Sequence, residues 1–132
     1  MQGTGNDFVV LGADALARQR DWADLARLMC DRHFGVGADG ILLVEPGRQG
    51  SDFAMRMFNP DGSEAEMCGN GIRCFARYVH DRGISAKKTL RIATGAGIQV
   101  VRLVLDHDEV AGVEVDMGRP EFVADRVPVE CR

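Results

Sequence analysis

Cys68 is the residue whose type and sequence neighbours most clearly indicate chemistry. Gly69, Asn70 and Gly71 follow it and helical periodicity begins just afterwards, so the thiol is predicted to lie where a helix starts. The first N–H groups of a helix have no partner within it, and the helix dipole places partial positive charge there. This position lowers the pKa of a thiol towards the thiolate, while glycines allow a carboxylate to approach the free amides. The motif therefore predicts a basic sulfur beside an anion-binding cradle.

The other cysteines carry no such signal. Cys30 and Cys74 fall inside predicted helices, where cysteine usually acts as a small buried apolar residue, and Cys131 is assigned no role. The four cysteines form no CxxC pair and no Cys/His cluster with zinc spacing. We therefore expect free thiols and no metal site. A thiol redox protein is disfavoured, because the only cysteine close to Cys68 in the sequence is Cys74 and their spacing is not CxxC.

The elements that must position Cys68 can be predicted from apolar periodicity. Apolar residues at helical spacing indicate a helix over residues 21–29 and another from residue 72 to about residue 81. Alternating or continuous apolar runs bounded by turn residues predict strands at 8–11, 41–45, 52–58, 89–94, 97–105 and 110–117. The predicted fold class is therefore α+β.

Length and composition limit the classes of function. The chain has 132 residues, 45% of them hydrophobic, and a net charge of −4, which indicates one folded domain and disfavours a nucleic-acid-binding surface. Its longest apolar runs are about five residues, against the ~20 that a membrane-spanning helix needs. No charged-then-apolar leader opens the sequence, so we expect a cytoplasmic location.

Four motifs carry a resemblance to a known family. They are Gly-Thr-Gly-Asn-Asp-Phe at 3–8, Gly-Val-Gly-Ala-Asp-Gly at 35–40, Asn-Pro-Asp-Gly-Ser at 59–63 and Cys-Gly-Asn-Gly-Ile-Arg at 68–73. In this order and spacing they resemble the diaminopimelate epimerases, over residues 1 to about 120. The resemblance implies a β-rich, barrel-like domain wrapped around a central helix, one half of a two-domain fold.

The resemblance also implies an activity. Family members are isomerases of lysine biosynthesis that interconvert LL- and meso-diaminopimelate without pyridoxal phosphate, and no other cofactor is implied. One cysteine thiolate removes the α-proton and a second cysteine thiol supplies a proton to the opposite face. The partner implied is a small-molecule substrate, not a nucleic acid or a membrane, and the full-length enzyme is a candidate homodimer.

Individual roles carry over where the residues match. The resemblance makes Cys68 one of the catalytic pair, makes Asn6 and Asn59 substrate contacts, and makes Gly69 and Asn70 the residues that hold the substrate beside the cysteine. Each asparagine also has a simpler interpretation, because asparagine is a common turn former and Asn59 could cap its own turn.

Two further positions qualify the match. Arg73 belongs to the family signature but is expected to brace a loop. Gly40 stands where some family members carry a substrate-binding glutamine, and glycine offers only its backbone.

Only the first half of the family pattern is present in this sequence. We predict an N-terminal domain over residues 1–118 and the start of an interdomain linker over 119–132. The second cysteine has no counterpart, so the chain alone is expected not to epimerise. Two alternatives stay open: a substrate-binding half-domain without turnover, and a proline racemase or hydroxyproline epimerase. The latter enzymes share the fold and a Met-Cys-Gly motif but usually have histidine where this chain has Asn70. Related phenazine isomerases lack the cysteine.

Overall fold

A single curled sheet forms the framework of the molecule. The computed structural model describes residues 1–12, 15, 18, 21–120 and 122. Within these residues eight strands form the sheet: β1 (Gln2–Gly3), β2 (Asn6–Leu11), β3 (Gly40–Pro46), β4 (Phe53–Phe58), β5 (Glu64–Ala65), β6 (Thr89–Thr94), β7 (Gly97–Asp106) and β8 (Glu109–Val115). Their order is β1-β2-β3-β4-β6-β7-β8, and β5 pairs with β4. The pairs β2–β3 and β4–β6 are parallel and the others are antiparallel.

Helix α2 (Gly69–Asp81) lies inside the curl of this sheet. Its Ile72, Phe75, Ala76 and Val79 are fully buried at the helical spacing seen in the sequence. They pack against inward-facing residues of six strands: Phe8, Leu42, Val44, Met55, Met57, Leu90, Ile92, Val101, Leu103 and Val110. The helix contacts β1 and β2 at one edge of the sheet and β8 at the other. A barrel-like domain wrapped around a central helix is therefore confirmed.

Helix α1 (Trp22–Cys30) covers part of the outer face of the sheet. The Asp21 side chain caps it by accepting hydrogen bonds from the N–H groups of Ala23 and Asp24. Ala26 and Cys30 of this helix are buried in a second cluster with Ile41, Leu43 and Phe58. Strand β3 is thus covered on both faces, which explains why its sequence is continuously apolar.

The predicted helices and strands are found with small shifts at their ends. Strand β8 ends at Val115, two residues before the predicted end. The chain turns there because the Asp116 side chain accepts the Gly118 N–H at 2.9 Å and Gly118 adopts a φ of +73°. As a result Met117 leaves the sheet.

The sheet topology brings the sequence motifs to one end of the molecule. Strands β2 and β3 run parallel and both start at this end, and β4 runs antiparallel and finishes there. Asn6 opens β2, Asp39 directly precedes β3, and Asn59 directly follows β4. The start of α2 contacts β1 at the same end.

The predicted boundary at residue 118 stays a prediction. Asp116–Pro120 carry no regular secondary structure. Of the predicted linker, residue 121 and residues 123–132, including Cys131, lie outside the described residues. No described helix is long and apolar enough to cross a membrane.

Candidate active site

Cys68 is the N-cap residue of α2, as its sequence context predicts. Its backbone is extended, with φ −141° and ψ 117°, and its carbonyl oxygen accepts the first helical hydrogen bond, from the N–H of Ile72 at 2.9 Å. The side chain is half-buried, and Sγ accepts the N–H of Gly71 at 3.3 Å. An N–H donor directed at the sulfur stabilises negative charge there.

The glycines around Cys68 permit close packing at the helix start. A Cβ on Gly71 would lie 3.3 Å from the Cys68 Cβ and 3.3 Å from Cδ2 of Leu42, so this position has little room for a side chain. The backbone N–H groups of Gly69 and Asn70 have no acceptor in the part of the chain that the structure describes. Free amides at a helix N-terminus can bind an anion such as a carboxylate.

Asn6 and Asn70 are brought together although they are 64 residues apart. The side-chain amide of Asn70 donates to Oδ1 of Asn6 at 2.8 Å, and Nδ2 of Asn6 donates to Oδ2 of Asp39 at 3.1 Å. All three side chains are partly buried. The start of β2, the start of β3 and the start of α2 are thereby joined by one chain of hydrogen bonds.

Asp39 belongs to a charged cluster that the sequence motifs alone did not indicate. Arg32 pairs with Oδ1 of Asp39 at 2.9 Å and with both carboxylate oxygens of Asp7, at 2.8 and 3.1 Å. The Arg32 guanidinium lowers the pKa of Asp7 to about 2, and the two carboxylates raise the pKa of Arg32. The arginine thus favours the ionised form of Asp7 and pairs with Asp39 beside the two asparagines.

Asn59 lies in its own turn, separate from this hydrogen-bond chain. Its Nδ2 donates to Oγ of Ser63 at 3.0 Å, and its backbone N–H donates to the Ser63 carbonyl at 2.8 Å. Gly62 closes the turn with a φ of +85° and donates its N–H to the Asn59 carbonyl. The contacts of Asn59 are those of a turn residue at the site end of the sheet.

Cys30 and Cys74 are buried, as expected for apolar filling residues. Each is 3% exposed, and each lies in one of the two core clusters. Burial raises the pKa of both thiols above the ordinary value. Among the cysteines of the described residues, Cys68 is therefore the one accessible to a ligand.

Two charged residues next to the motif have structural partners. Arg73 donates to the hydroxyl of Thr4 at 3.3 Å and so braces the glycine-rich loop between β1 and β2, as expected. Glu64 forms a two-point ion pair with Arg56, at 2.7 and 2.9 Å.

Met117 is a site neighbour that the sequence did not indicate. A Cβ on Gly69 would lie 3.3 Å from its Sδ and 3.4 Å from its Cε, so the thioether rests against the first residue of α2. The side chain is nevertheless 61% exposed. The early end of β8 brings it here, and neither that end nor its contact with Gly69 has a signature in the apolar pattern.

The arrangement can bind an anion and move a proton. Cys68 offers a half-buried sulfur with two free backbone amides beside it. The site also contains the polar side chains of Asn6 and Asn70. Within the described residues no three His, Cys, Asp or Glu side chains lie close enough to hold a metal ion.

Sequence comparison finds close relatives of the chain. The family model for diaminopimelate epimerase matches residues 1–123. The diaminopimelate epimerase of Moorella thermoacetica is 51% identical over 129 residues, which cover 98% of this chain and 46% of that protein. The diaminopimelate epimerase of Caldanaerobacter subterraneus is 48% identical over 130 residues, with the same two coverages. The chain thus spans about half the length of these curated relatives.

Solved structures of low sequence identity share the fold. A hydroxyproline epimerase from Agrobacterium vitis has a TM-score of 0.67 at 16% identity, covering 85% of this chain and 38% of that one. A phenazine biosynthesis protein of the PhzF family from Bacillus anthracis has a TM-score of 0.60 at 24% identity, covering 82% and 33%. These likenesses support the curled sheet around a helix. The family model that matches residues 1–123 shows that the chain belongs to the diaminopimelate epimerase family.

Proposed function

We propose that this chain is the half of a cofactor-independent diaminopimelate epimerase that carries one of its two proton-transferring groups. Cys68 is the acid–base residue, and a second cysteine lies outside this half. The observation that carries the proposal is the half-buried Cys68 sulfur, which accepts the Gly71 N–H beside two free helix-start amides. We further propose that the protein acts in the cytoplasm, in lysine biosynthesis.

The chemistry requires this kind of site. A proton next to a carboxylate is very weakly acidic, so a site without a cofactor must stabilise the carbanion with fixed donors. The free N–H groups of Gly69 and Asn70 would bind the substrate carboxylate, where negative charge develops. Cys68 would then take the α-proton from one face. The side chains of Asn6, Asn59 and Asn70 would hold the remaining polar groups.

Catalysis by the isolated chain is expected to stop at proton exchange. Cys74 is buried on the same helix as Cys68, so it cannot serve the opposite face of a bound α-carbon. Incubated with LL-diaminopimelate in deuterium oxide, the chain should place deuterium slowly at the α-carbon without forming the meso isomer. Mass spectrometry and chiral chromatography measure the two outcomes.

Two cysteine variants test whether Cys68 is the residue that exchanges the α-proton. Cys68→Ser should abolish the exchange, while Cys74→Ser should retain it. Formation of the meso isomer would contradict the half-site proposal, and exchange that survives in Cys68→Ser would contradict the role of the thiol. Calorimetric binding of diaminopimelate without any exchange would favour the alternative of a binding half-domain.

A chimera tests the same role in a full-length enzyme. This chain can replace the matching 129-residue segment of the Moorella thermoacetica relative, with which it shares 51% of its residues. The chimera should interconvert LL- and meso-diaminopimelate and leave L-proline unchanged. Cys68→Ser in the chimera should lower kcat about 10²–10⁴-fold, the usual contribution of a general acid–base group. Racemisation of L-proline would support the proline racemase alternative instead.

A further inference from the structure

We propose that Asp39, held by Arg32, is a positioning residue that sets the direction of the hydrogen-bond chain through Asn6 to Asn70 and so fixes the start of α2. The proposal rests on the proposed function, because the helix start is the site of Cys68 and its free amides. Neither Asp39 nor Arg32 lies on α2, and they act through the two asparagines.

The direction of the hydrogen-bond chain follows from the chemistry of a carboxylate. An ionised carboxylate only accepts hydrogen bonds, so Asn6 must present its NH₂ group to Asp39, at 3.1 Å. The carbonyl oxygen of Asn6 is then turned towards Asn70, whose NH₂ group must donate to it, at 2.8 Å. One acceptor-only group thus orients two amides that could otherwise flip.

Asp39 is itself held from three directions. Its Oδ2 accepts the backbone N–H of Asp7 at 3.0 Å as well as the Asn6 amide, and its Oδ1 accepts Arg32 at 2.9 Å. Its backbone N–H donates to the carbonyl of Asp7 at 2.8 Å. A carboxylate with three donors has little freedom to turn, so the direction that it imposes is stable.

The other end of the hydrogen-bond chain lies at the start of α2. Asn70 is the second residue of α2 and lies two residues after Cys68. A Cβ on Gly3 would meet the Asn70 carbonyl oxygen at 3.0 Å and Cys74 Sγ at 2.9 Å, so the β1 backbone packs directly on this turn. If Asn6 flipped, its NH₂ group would face the NH₂ group of Asn70, and repulsion between the donors would displace the turn.

The carboxylate preference of Cys68 measures whether the helix start is in place. We define it as the ratio of the alkylation rates with iodoacetate and with iodoacetamide, divided by the same ratio for an unfolded peptide of residues 65–72. Iodoacetate carries a carboxylate next to the carbon that the sulfur attacks. Working in a Cys131→Ser variant and analysing the products by peptide mass spectrometry restricts the measured alkylation rates to Cys68. We expect a preference of about fivefold, the scale of an anion at a helix N-terminus.

Moving the carboxylate from residue 39 to residue 6 tests the direction of the hydrogen-bond chain. Asp39→Asn should reduce the preference to the peptide value, because residue 39 then carries an NH₂ group as well. Asn6→Asp should do the same, because it places two carboxylates together without a proton between them. The double variant Asn6→Asp with Asp39→Asn should recover part of the preference, because the carboxylate at residue 6 accepts from Asn70 and from residue 39, whereas the NH₂ group at residue 39 can no longer accept the Asp7 N–H.

The control variant changes a carboxylate in the same loop. Asp31 accepts the N–H groups of His33 and Phe34, at 2.7 and 2.8 Å, and takes no part in the chain to Asn70. Asp31→Asn should keep the wild-type preference. A merely structural need for a charge in this loop would make Asp31→Asn and Asp39→Asn behave alike.

The outcomes separate this proposal from the proposed function. A wild-type chain without any preference would contradict the carboxylate cradle. A preference that survives in Asp39→Asn, or that the double variant fails to recover, would overturn the positioning role and leave the cradle standing. Should Asp39→Asn not fold, a folded double variant with a preference above the peptide value supports the proposal, and an unfolded one counts against it.

Discussion

At the scale of single residues, the molecule distinguishes its cysteines by their surroundings. Cys30 and Cys74 are enclosed by apolar side chains, whereas Cys68 caps a helix and accepts an N–H. The same element supplies both environments, because α2 begins at the surface with Cys68 and enters the core one turn later. For Cys68 and Cys74, position along α2 therefore decides which thiol can take part in chemistry.

This difference predicts selective labelling of one thiol. In a Cys131→Ser variant, an aromatic disulfide reagent should react rapidly with a single thiol per native chain, Cys68. Cys30 and Cys74 should react at least ~100-fold more slowly, because each must first be exposed by local opening of the fold. Their raised pKa adds to the protection. Absorbance of the released thiolate measures the rates.

The labelling experiment has an internal control. Unfolding the Cys131→Ser variant in urea should expose all of its remaining thiols and remove the difference in rate. A Cys68→Ser, Cys131→Ser variant that still contains a rapidly reacting thiol in the native state would show that the burial argument is wrong.

At the scale of elements, the start of β3 lies where three segments meet. Gly40 pairs with Phe8 of β2, and a Cβ on Gly40 would lie 2.8 Å from the Phe58 carbonyl oxygen and 3.2 Å from Cε of Met57. The nearest obstacle is backbone, which cannot move aside as a flexible side chain can. A glutamine at this position would require the strands to shift, so the structure accounts for the glycine.

Gly40→Ala should therefore destabilise the fold. We expect the free energy of unfolding to fall by about 1–3 kcal/mol, the range seen for overpacked cores. Gly112→Ala is the matched control on β8, because its Cβ would meet only Val104 Cβ, at an ordinary 3.9 Å. That variant should stay within about 0.5 kcal/mol of the wild type. Urea titration followed by circular dichroism measures both, and equal stability of the two variants would refute the packing argument.

The sequence predicts the elements better than their long-range contacts. The helices follow from residues such as Ile72 and Phe75, and the cap of α2 from Cys68 and its glycines, because these signals lie within one or two helical turns. The contact between Asp39, Asn6 and Asn70 joins residues 33 and 64 positions apart, and no local pattern encodes it. The position of Met117 beside Gly69 could not be predicted, because the end of β8 depends on a turn formed by the Asp116 side chain.

At the scale of the whole molecule, the described carboxylates that depart from ordinary behaviour do so in one direction. Partners in the fold lower the pKa of Asp7, Asp31, Asp52, Asp61 and Glu64. The partners are Arg32 for Asp7, backbone N–H groups for Asp31, Lys87 for Asp52, Ser63 for Asp61 and Arg56 for Glu64. A lowered pKa in the folded state means that the unfolded state binds protons more readily.

The molecule should therefore lose stability in acid. The stabilisation is fully present above the ordinary pKa values of 3.8 and 4.5 and disappears as the pH falls through the lowered values, that of Asp7 being about 2. Urea titrations between pH 7 and pH 2 should give a free energy of unfolding that falls below about pH 4.5. Asp7→Asn should lower stability at neutral pH and reduce the slope between pH 4 and pH 2. Parallel curves for the two proteins would contradict the role of the Arg32 pair.

The closure of the sheet around α2 has a consequence for how the protein is made. The helix that carries Cys68 contacts β1 and β2, which precede it in the sequence, and β8, which follows it. Until β8 emerges, one flank of the helix lacks its partner and its apolar face stays open to solvent or to chaperones. The start of α2 and its thiol can therefore become ordered in the nascent polypeptide only after β8 has been made.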